Sequence, residues 1–176
     1  MSLKIQMREL IYEDEKDVAR IHQVMKERDG FTFLLSDYIQ GEDFAGYLPR
    51  VAAYKDQNTV PEGKVVSTFL VAVIEGKIAG RLSIRHTLNE FLATTGGHIG
   101  YGVAPEFRGQ GVATYMLRYG IEFLKDLGNE RVFISCLTDN DHSRRTIEKC
   151  GGEFAAIVTD PVNGKDYRTY WIPTGL

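Results

Sequence analysis

Apolar and polar residues alternate through LKIQMREL at the start of the chain, the two-residue period of a half-buried strand. The period then lengthens. From Asp14 to Arg28 the apolar residues Val18, Ile21 and Met25 recur at helical spacing, and Gly30 stands where such a helix would stop. Residues 31–62 carry no single period; FTFLLSDY and the segment from Asp43 to Lys55 read as partly helical, with Pro49 interrupting. Two apolar runs follow, VVSTFLVAVI and KIAGRLSI, joined by the short Glu75-Gly76 turn of a hairpin. HTLNEFLATTGG is a long connection, and HIGYGV is a further strand. Between Gly109 and Leu127, Ala113, Met116, Leu117, Ile121 and Leu124 form one helical face. RVFISCL reads as a buried strand, and Asn140 to Lys149 as a short helix ended by Gly151-Gly152. Two last strands, EFAAIVTD and DYRTYWI, flank the turn PVNGK.

In order, these are a strand, helices, antiparallel strands, then strand–helix–strand–helix–strand. That is an α/β chain of mixed α+β character, with no repeats or linkers, folded as a single domain over residues 1–176. HIGYGV and RVFISCL, joined by the long helix, are expected as parallel neighbours by the usual right-handed crossover. With the antiparallel hairpin, this predicts one central mixed, mostly antiparallel sheet of about seven strands flanked by helices.

Composition narrows the function. Apolar residues make up 43% and charged residues 26%, an ordinary globular balance. A net charge of −3 argues against bulk attraction to nucleic acid or anionic lipid, though it permits a local basic site. The longest strictly apolar stretch, Phe69 to Ile74, is too short to span a bilayer. MSLKIQMREL has no apolar core of signal-peptide type, so a cytoplasmic location is expected. A homodimer is neither required nor opposed by these features. Cys136 and Cys150 have the spacing of neither a redox pair nor a zinc knuckle and read as reduced thiols.

Candidate chemistry concentrates in VAPEFRGQGVATYML. A phosphate loop of ATP-binding type needs a lysine after its last glycine, and Gly111 is followed by Val112 and Ala113. The dinucleotide fingerprint needs a third glycine, where Thr114 stands. What remains is R-x-x-G-x-A, met by Arg108, Gly111 and Ala113. Glycine lets the backbone approach a pyrophosphate, the first helical N–H groups point the same way, and the helix dipole adds attraction. Arg108 supplies a charge at the mouth. Metal chemistry is not expected: the four histidines form no H-E-x-x-H, and Asp139-Asn140-Asp141 lacks the glycine and glutamate of a calcium loop at Arg144 and Cys150.

VAPEFRGQGVATYML resembles the acetyl-CoA pyrophosphate loop of the GNAT superfamily of N-acetyltransferases. TDNDHSRRTIEKCGG is similar to that superfamily's second cofactor segment, and the order of elements fits over roughly residues 66–158. The combination of IGYGVAPEFRGQG with N-x-x-S-x-x-x-I-E-K is closest to the branch that includes ribosomal-protein N-terminal acetyltransferases. The resemblance implies acetyl-CoA as cosubstrate, no metal, and a pair of parallel strands that part at the cofactor site. The backbone of Tyr101, Gly102 and Val103 would pair with the pantetheine arm. The amides of Arg108, Gly109, Gln110, Gly111, Val112, Ala113 and Thr114 would hold the pyrophosphate. Asn140 and Ser143 would sit beside the pantetheine and thioester. Arg144 and Arg145 either reach the adenosine phosphates or are simply solvated.

Acetyl transfer needs a neutral amine, a donor for the developing oxyanion and a proton for the leaving thiolate. A backbone N–H near Val103 is the candidate oxyanion donor. Many family members carry a tyrosine on the last helix as the acid. Here Ile147 occupies that position, which leaves the proton to another tyrosine, to Ser143, to water or to no specific acid. Candidate bases are Glu90, His98 and Tyr101. Alternation puts Tyr101 with Ile99 and Val103 and His98 on the opposite face, a relation that a bulge would reverse. Glu90 and Asn89 lie in the RHTLNEFL connection, expected to reach over the acceptor side; His86 and Arg85 share it with weaker claims, and Cys136 is a rival nucleophile. The implied function is transfer of acetyl from acetyl-CoA to a primary amine, of a small molecule or a protein N-terminus, by direct attack in a ternary complex. The alternatives are a non-catalytic acetyl-CoA-binding sensor or regulatory module and, third, a nucleotide-binding protein using the same loop. Acceptor choice is assigned to residues 28–58 and 85–97.

Overall fold

The computed structural model describes residues 4–35 and 37–176; Met1 to Leu3, of which Leu3 opens the segment LKIQMREL, and Ser36, within FTFLLSDY, lie outside them. Among the described residues there are seven strands and four α-helices. In chain order they are β1 (Gln6–Arg8), α1 (Glu15–Asp29), α2 (Phe44–Ala53), β2 (Ser67–Ile74), β3 (Lys77–Arg85) and β4 (Ile99–Val103). Then come α3 (Val112–Asp126), β5 (Arg131–Leu137), α4 (Asp141–Lys149), β6 (Glu153–Thr159) and β7 (Asp166–Pro173).

The strands form two sheets, β1-β2-β3-β4 and β5-β7-β6, and all ladders are antiparallel. The seven mostly antiparallel strands flanked by helices are those expected, and the sheet is divided where β4 and β5 splay. β4 and β5 do meet: His98 N–H donates to Phe133 O at 2.8 Å, and Phe133 N–H donates to His98 Nδ1 at 2.9 Å. No ladder joins them, and at the meeting point the Phe133 amide bonds the His98 ring in place of a main-chain carbonyl. The strands touch at one end and part at the other.

Burial explains the local elements. β2 is buried along its whole length because both of its faces are covered. Leu70 and Ala72 join Leu82, Ile84, Ile99, Met116, Leu117 and Leu124 under α3, in a core that also takes Ile134, Ile147, Tyr170 and Ile172 from the second sheet and α4. Phe69, Val71 and Val73 join Val18, Ile21, Met25, Phe33, Phe44 and Tyr47 under α1 and α2. Each such large side chain contributes about 1.5–3 kcal/mol. The β2–β3 hairpin turns through Glu75 and Gly76, both at positive φ (48° and 76°), as a two-residue primed turn requires.

The segment without a clear period departs from its reading. FTFLLSDY is not helical at its described residues. It is held from elsewhere: Leu34 N–H donates to His22 Nδ1 at 3.1 Å and Leu35 N–H to the Tyr47 hydroxyl at 3.0 Å. Pro49 lies inside α2 and does not end it. The Asp43 cap on Ala45 N–H, at 3.1 Å, and the burial of Phe44 and Tyr47 outweigh the lost hydrogen bond.

Candidate cofactor and active site

α3 begins at Val112, three residues later than its apolar pattern suggests, because Arg108 to Gly111 form a turn. Gly109 and Gly111 have φ of 75° and 84°, a region that residues with a Cβ adopt only under strain. Gly111 is the N-cap and no side chain caps the helix. The first intrahelical bond runs from Tyr115 N–H to Gly111 O, at 3.0 Å. The N–H groups from Gly109 to Thr114 donate to no acceptor among the described residues. Six adjacent amides thus stand at the positive end of a 15-residue helix. Arg108 is engaged by the protein itself. Its Nε donates to Val103 O at 3.1 Å and its Nη2 to Asp29 Oδ2 at 2.6 Å, tying the turn to β4 and to the end of α1.

The parting of β4 and β5 exposes a strand edge beside this turn. Arg85 N–H bonds His98 O and Ala104 N–H bonds Ala79 O, so every second residue of β4 between them pairs with β3. The backbone groups of Ile99, Tyr101 and Val103 therefore face the other way, toward the gap. The β3–β4 register runs without a bulge. Tyr101 accordingly shares a face with Ile99 and Val103, all three packing under α3 and α4.

On that face the Tyr101 hydroxyl donates to Ser143 Oγ at 3.2 Å. Ser143 N–H donates in turn to the side-chain oxygen of Asn140, the N-cap of α4, at 3.1 Å. The structure so gathers Tyr101, Ser143 and Asn140 into one cluster. Burial pushes the Tyr101 hydroxyl up to about 12, with the Ser143 contact opposing it. Ile147, one turn along α4, is fully buried and offers no polar atom. Cys136 is buried too, which pushes its thiol up to about 11 and removes the thiolate a nucleophile needs. Arg144 is held by Asp141 and Glu148 along its own helix, each at 3.0 Å.

The other predicted candidates lie apart from this cluster. His98 is the joint between the sheets; its Nδ1 lone pair is engaged by Phe133, and burial lowers its pKa. Glu90 is exposed at the entrance to a π-helical turn, Leu92–Gly96, and only its carbonyl is bonded, by Thr94. Asn89 caps that turn through Leu92 N–H, at 2.9 Å. His86 Nε2 lies 2.9 Å from Thr68 Oγ1.

Two features escaped sequence reading. Thr95 donates to Asp160 Oδ2 at 2.8 Å, tying the connection before β4 to the turn between β6 and β7. Arg81, with Arg85, faces the side of β4 opposite Tyr101; charged residues at alternate places in an otherwise apolar strand were the available signal. Among the described residues there is no cluster of metal-ligating side chains, and no helix is long and apolar enough to cross a membrane.

A family model described as the acetyltransferase (GNAT) family matches residues 34–152. No curated protein matches the chain. Among solved structures, the chain is similar to ribosomal-protein-S5-alanine acetyltransferase from Vibrio fischeri, with 15% identity over 97% of this chain and 93% of that one and a TM-score of 0.73. RimJ from Mycobacterium smegmatis, in complex with CoA-disulfide, shares 17% identity over 96% and 81%, with a TM-score of 0.70. YncA from Salmonella typhimurium, with its cofactor acetyl-CoA, shares 14% over 97% and 94%, with a TM-score of 0.63. At such identities the likeness is one of fold.

Proposed function

The chain belongs to the acetyltransferase (GNAT) family, and from that premise we propose that it moves an acetyl group from acetyl-CoA to a primary amine by direct attack in a ternary complex. The observation that carries this reading is the run of amides from Gly109 to Thr114, turned by two glycines and without acceptors among the described residues. Their donor chemistry fits a pyrophosphate. Arg108 serves the loop by fixing it to Val103 and Asp29, and the phosphate contacts fall to the backbone.

The outward backbone groups of Tyr101 and Val103 suit the amide-bearing pantetheine arm, as a missing strand would. Asn140 and Ser143 border the same gap from α4. When bound, acetyl-CoA supplies an activated acyl thioester. A β4 edge N–H near Val103 then stabilises the charge that develops on the acyl oxygen. The Tyr101 hydroxyl, neutral at physiological pH and bonded to Ser143, is the proton donor for the leaving thiolate, in the role Ile147 cannot fill. With no base assigned to His98, whose Nδ1 is engaged, or to exposed Glu90, the acceptor enters as a neutral amine, its proton passes to water, and Tyr101 regains from water the proton it gave.

Release of CoA thiol across a panel of amines tests the reading. Turnover with at least one amine class is expected. Tight acetyl-CoA binding without thiol release for any amine would replace it with a sensor, and competition by ATP or NAD would replace it with a nucleotide-binding protein.

A further inference from the structure

The face of β4 turned away from α3 carries an unusual charge arrangement. Alternation along β3 sends Leu82 and Ile84 into the core under α3 and Arg81 and Arg85 to the other side. Arg81 Nη1 donates to Gly100 O at 3.2 Å and its Nη2 to Thr32 O at 3.1 Å. Arg85 Nη1 donates to Gly96 O and Gly97 O, both at 3.1 Å. All of these partners are neutral carbonyls. Arg8, Arg20, Arg50, Arg108 and Arg144 each reach a carboxylate; Arg81 and Arg85 reach none among the described residues, nor do Arg118, Arg131, Arg145 and Arg168, but only Arg81 and Arg85 stand side by side on this face. Arg81 Nε is buried with no partner, and Arg85 bonds the protein through Nη1 alone. Burial lowers both guanidinium pKa values, and for Arg81 the nearby Arg85 adds to the effect. Two half-buried cations side by side without an anion are costly to hold.

Where the two converge, the guanidiniums lie directly against the backbone of β4. Gly100 and Gly102 give this face of β4 no side chains. A Cβ on Gly100 would lie 3.3 Å from Arg81 Nη1 and 3.7 Å from Arg85 Nη1 and Nη2. The Phe31 ring closes the Gly102 end and lies 4.8 Å from the Arg81 guanidinium carbon. Gly100 adjoins Tyr101, whose backbone borders the cleft, while the amides of the glycine turn lie on the α3 side. The arginine pair therefore does not belong to the pyrophosphate loop.

We propose that Arg81 and Arg85 form the acceptor's anchor, and that the acceptor is a compact amine bearing a carboxylate or a phosphate a few bonds from its nitrogen. This rests on the transfer reading above and names its substrate class. The shared chemistry is an oxyanion with at least two acceptor atoms, which matches paired guanidinium donors. About one or two residues of strand, roughly 3–7 Å, separate the arginines from the reacting edge, which sets the short spacing. Polyamines and other cationic acceptors would meet two like charges there.

The test uses matched amines with the full chain: alanine against alaninamide, phosphoethanolamine against ethanolamine, and spermidine as the cation. Thiol release is read as kcat/KM, corrected for the neutral fraction of each amine. One anionic member should exceed its neutral counterpart by about 30-fold or more, and the arm that responds tells carboxylate from phosphate. Arg85→Gln should remove about tenfold of that preference through acceptor KM, with acetyl-CoA affinity unchanged. Arg85→Lys, which keeps the charge, should fall between. Calorimetric titration of the same amines into the CoA-bound protein separates the two readings. Arg85-dependent binding of an anionic amine without thiol release would keep the anchor and overturn transfer. Turnover of spermidine or the neutral amines at equal or better kcat/KM, or a preference indifferent to Arg85→Gln, would overturn the anchor and keep transfer. Absence of both binding and turnover for every anionic amine would overturn the anchor as well.

Discussion

The two faces of β4 are built from different materials. Toward α3 and α4, Ile99, Tyr101 and Val103 pack into a core, and the polar groups offered to a ligand are mostly backbone amides at the strand edge and the glycine turn. Toward α1 and α2 the same strand presents Gly100 and Gly102, and the polar groups come from Arg81 and Arg85 of the neighbouring strand. Backbone amides recognise a phosphate wherever the chain takes the right φ and ψ, so the first face can stay the same while side chains around it change. Side-chain donors are erased or moved by single substitutions, so the second face is where acceptor choice can vary.

The largest expected effect breaks the first face alone. Gly111→Glu places a carboxylate among the six amides and should weaken acetyl-CoA binding about 1000-fold or more in a calorimetric titration. Strain at φ 84° should cost the fold only about 1–2 kcal/mol, so the variant should still melt cooperatively. Unchanged cofactor affinity would remove the phosphate role from this turn.

Tyr101→Phe comes next, with kcat expected to fall about 100-fold and acetyl-CoA affinity nearly unchanged. An unaltered kcat would reduce the hydroxyl to packing. The same group bears on stability: its folded pKa, about 12, lies above the ordinary value near 10. Its contribution is therefore complete below about pH 10 and is lost as pH rises through about 12. Tyr101→Phe should flatten that alkaline loss in melts recorded across the range.

A smaller effect should appear on the second face. Gly100 has no positive φ, so Gly100→Ala is conformationally allowed, but its Cβ would lie 3.3 Å from Arg81 Nη1. Acceptor KM should rise about tenfold while acetyl-CoA affinity stays constant. Equal losses for both substrates would deny that the two faces act separately. The smallest change is expected for Cys136→Ala. With its thiol pushed up to about 11, Cys136 is no nucleophile, and kcat should stay within about twofold of the parent. Loss of turnover, with an acetylated thiol visible by mass spectrometry, would require a covalent route instead.

Legibility in the sequence followed the range of the forces. Gly109, Gly111 and the helical face from Ala113 to Leu124 are local signals, so the glycine turn was readable from residues 101–117. Asn140 as a helix cap and the Glu75-Gly76 hairpin turn were readable for the same reason. The division into two sheets was not, because it is a matter of contacts between distant segments, such as Phe133 N–H with a histidine ring 35 positions earlier. Residues 31–35 could not be placed from their own pattern, since His22 and Tyr47 hold their amides. Arg81 and Arg85 follow plain strand alternation, and nothing near them in sequence shows that both lack a carboxylate.

Mechanically, the contact between His98 and Phe133 closes one end of the cleft between the two sheets, which the shared core under α3 and the Thr95–Asp160 bond hold together elsewhere. Tyr101 lies three residues beyond that contact, about 10 Å along the strand, at the open end. A ligand spanning the gap there closes what the imidazole leaves open. Ligand and fold are then thermodynamically linked: at 100 times its Kd, a clamp of this kind adds about 2.7 kcal/mol to stability. His98 holds the closed end of that cleft.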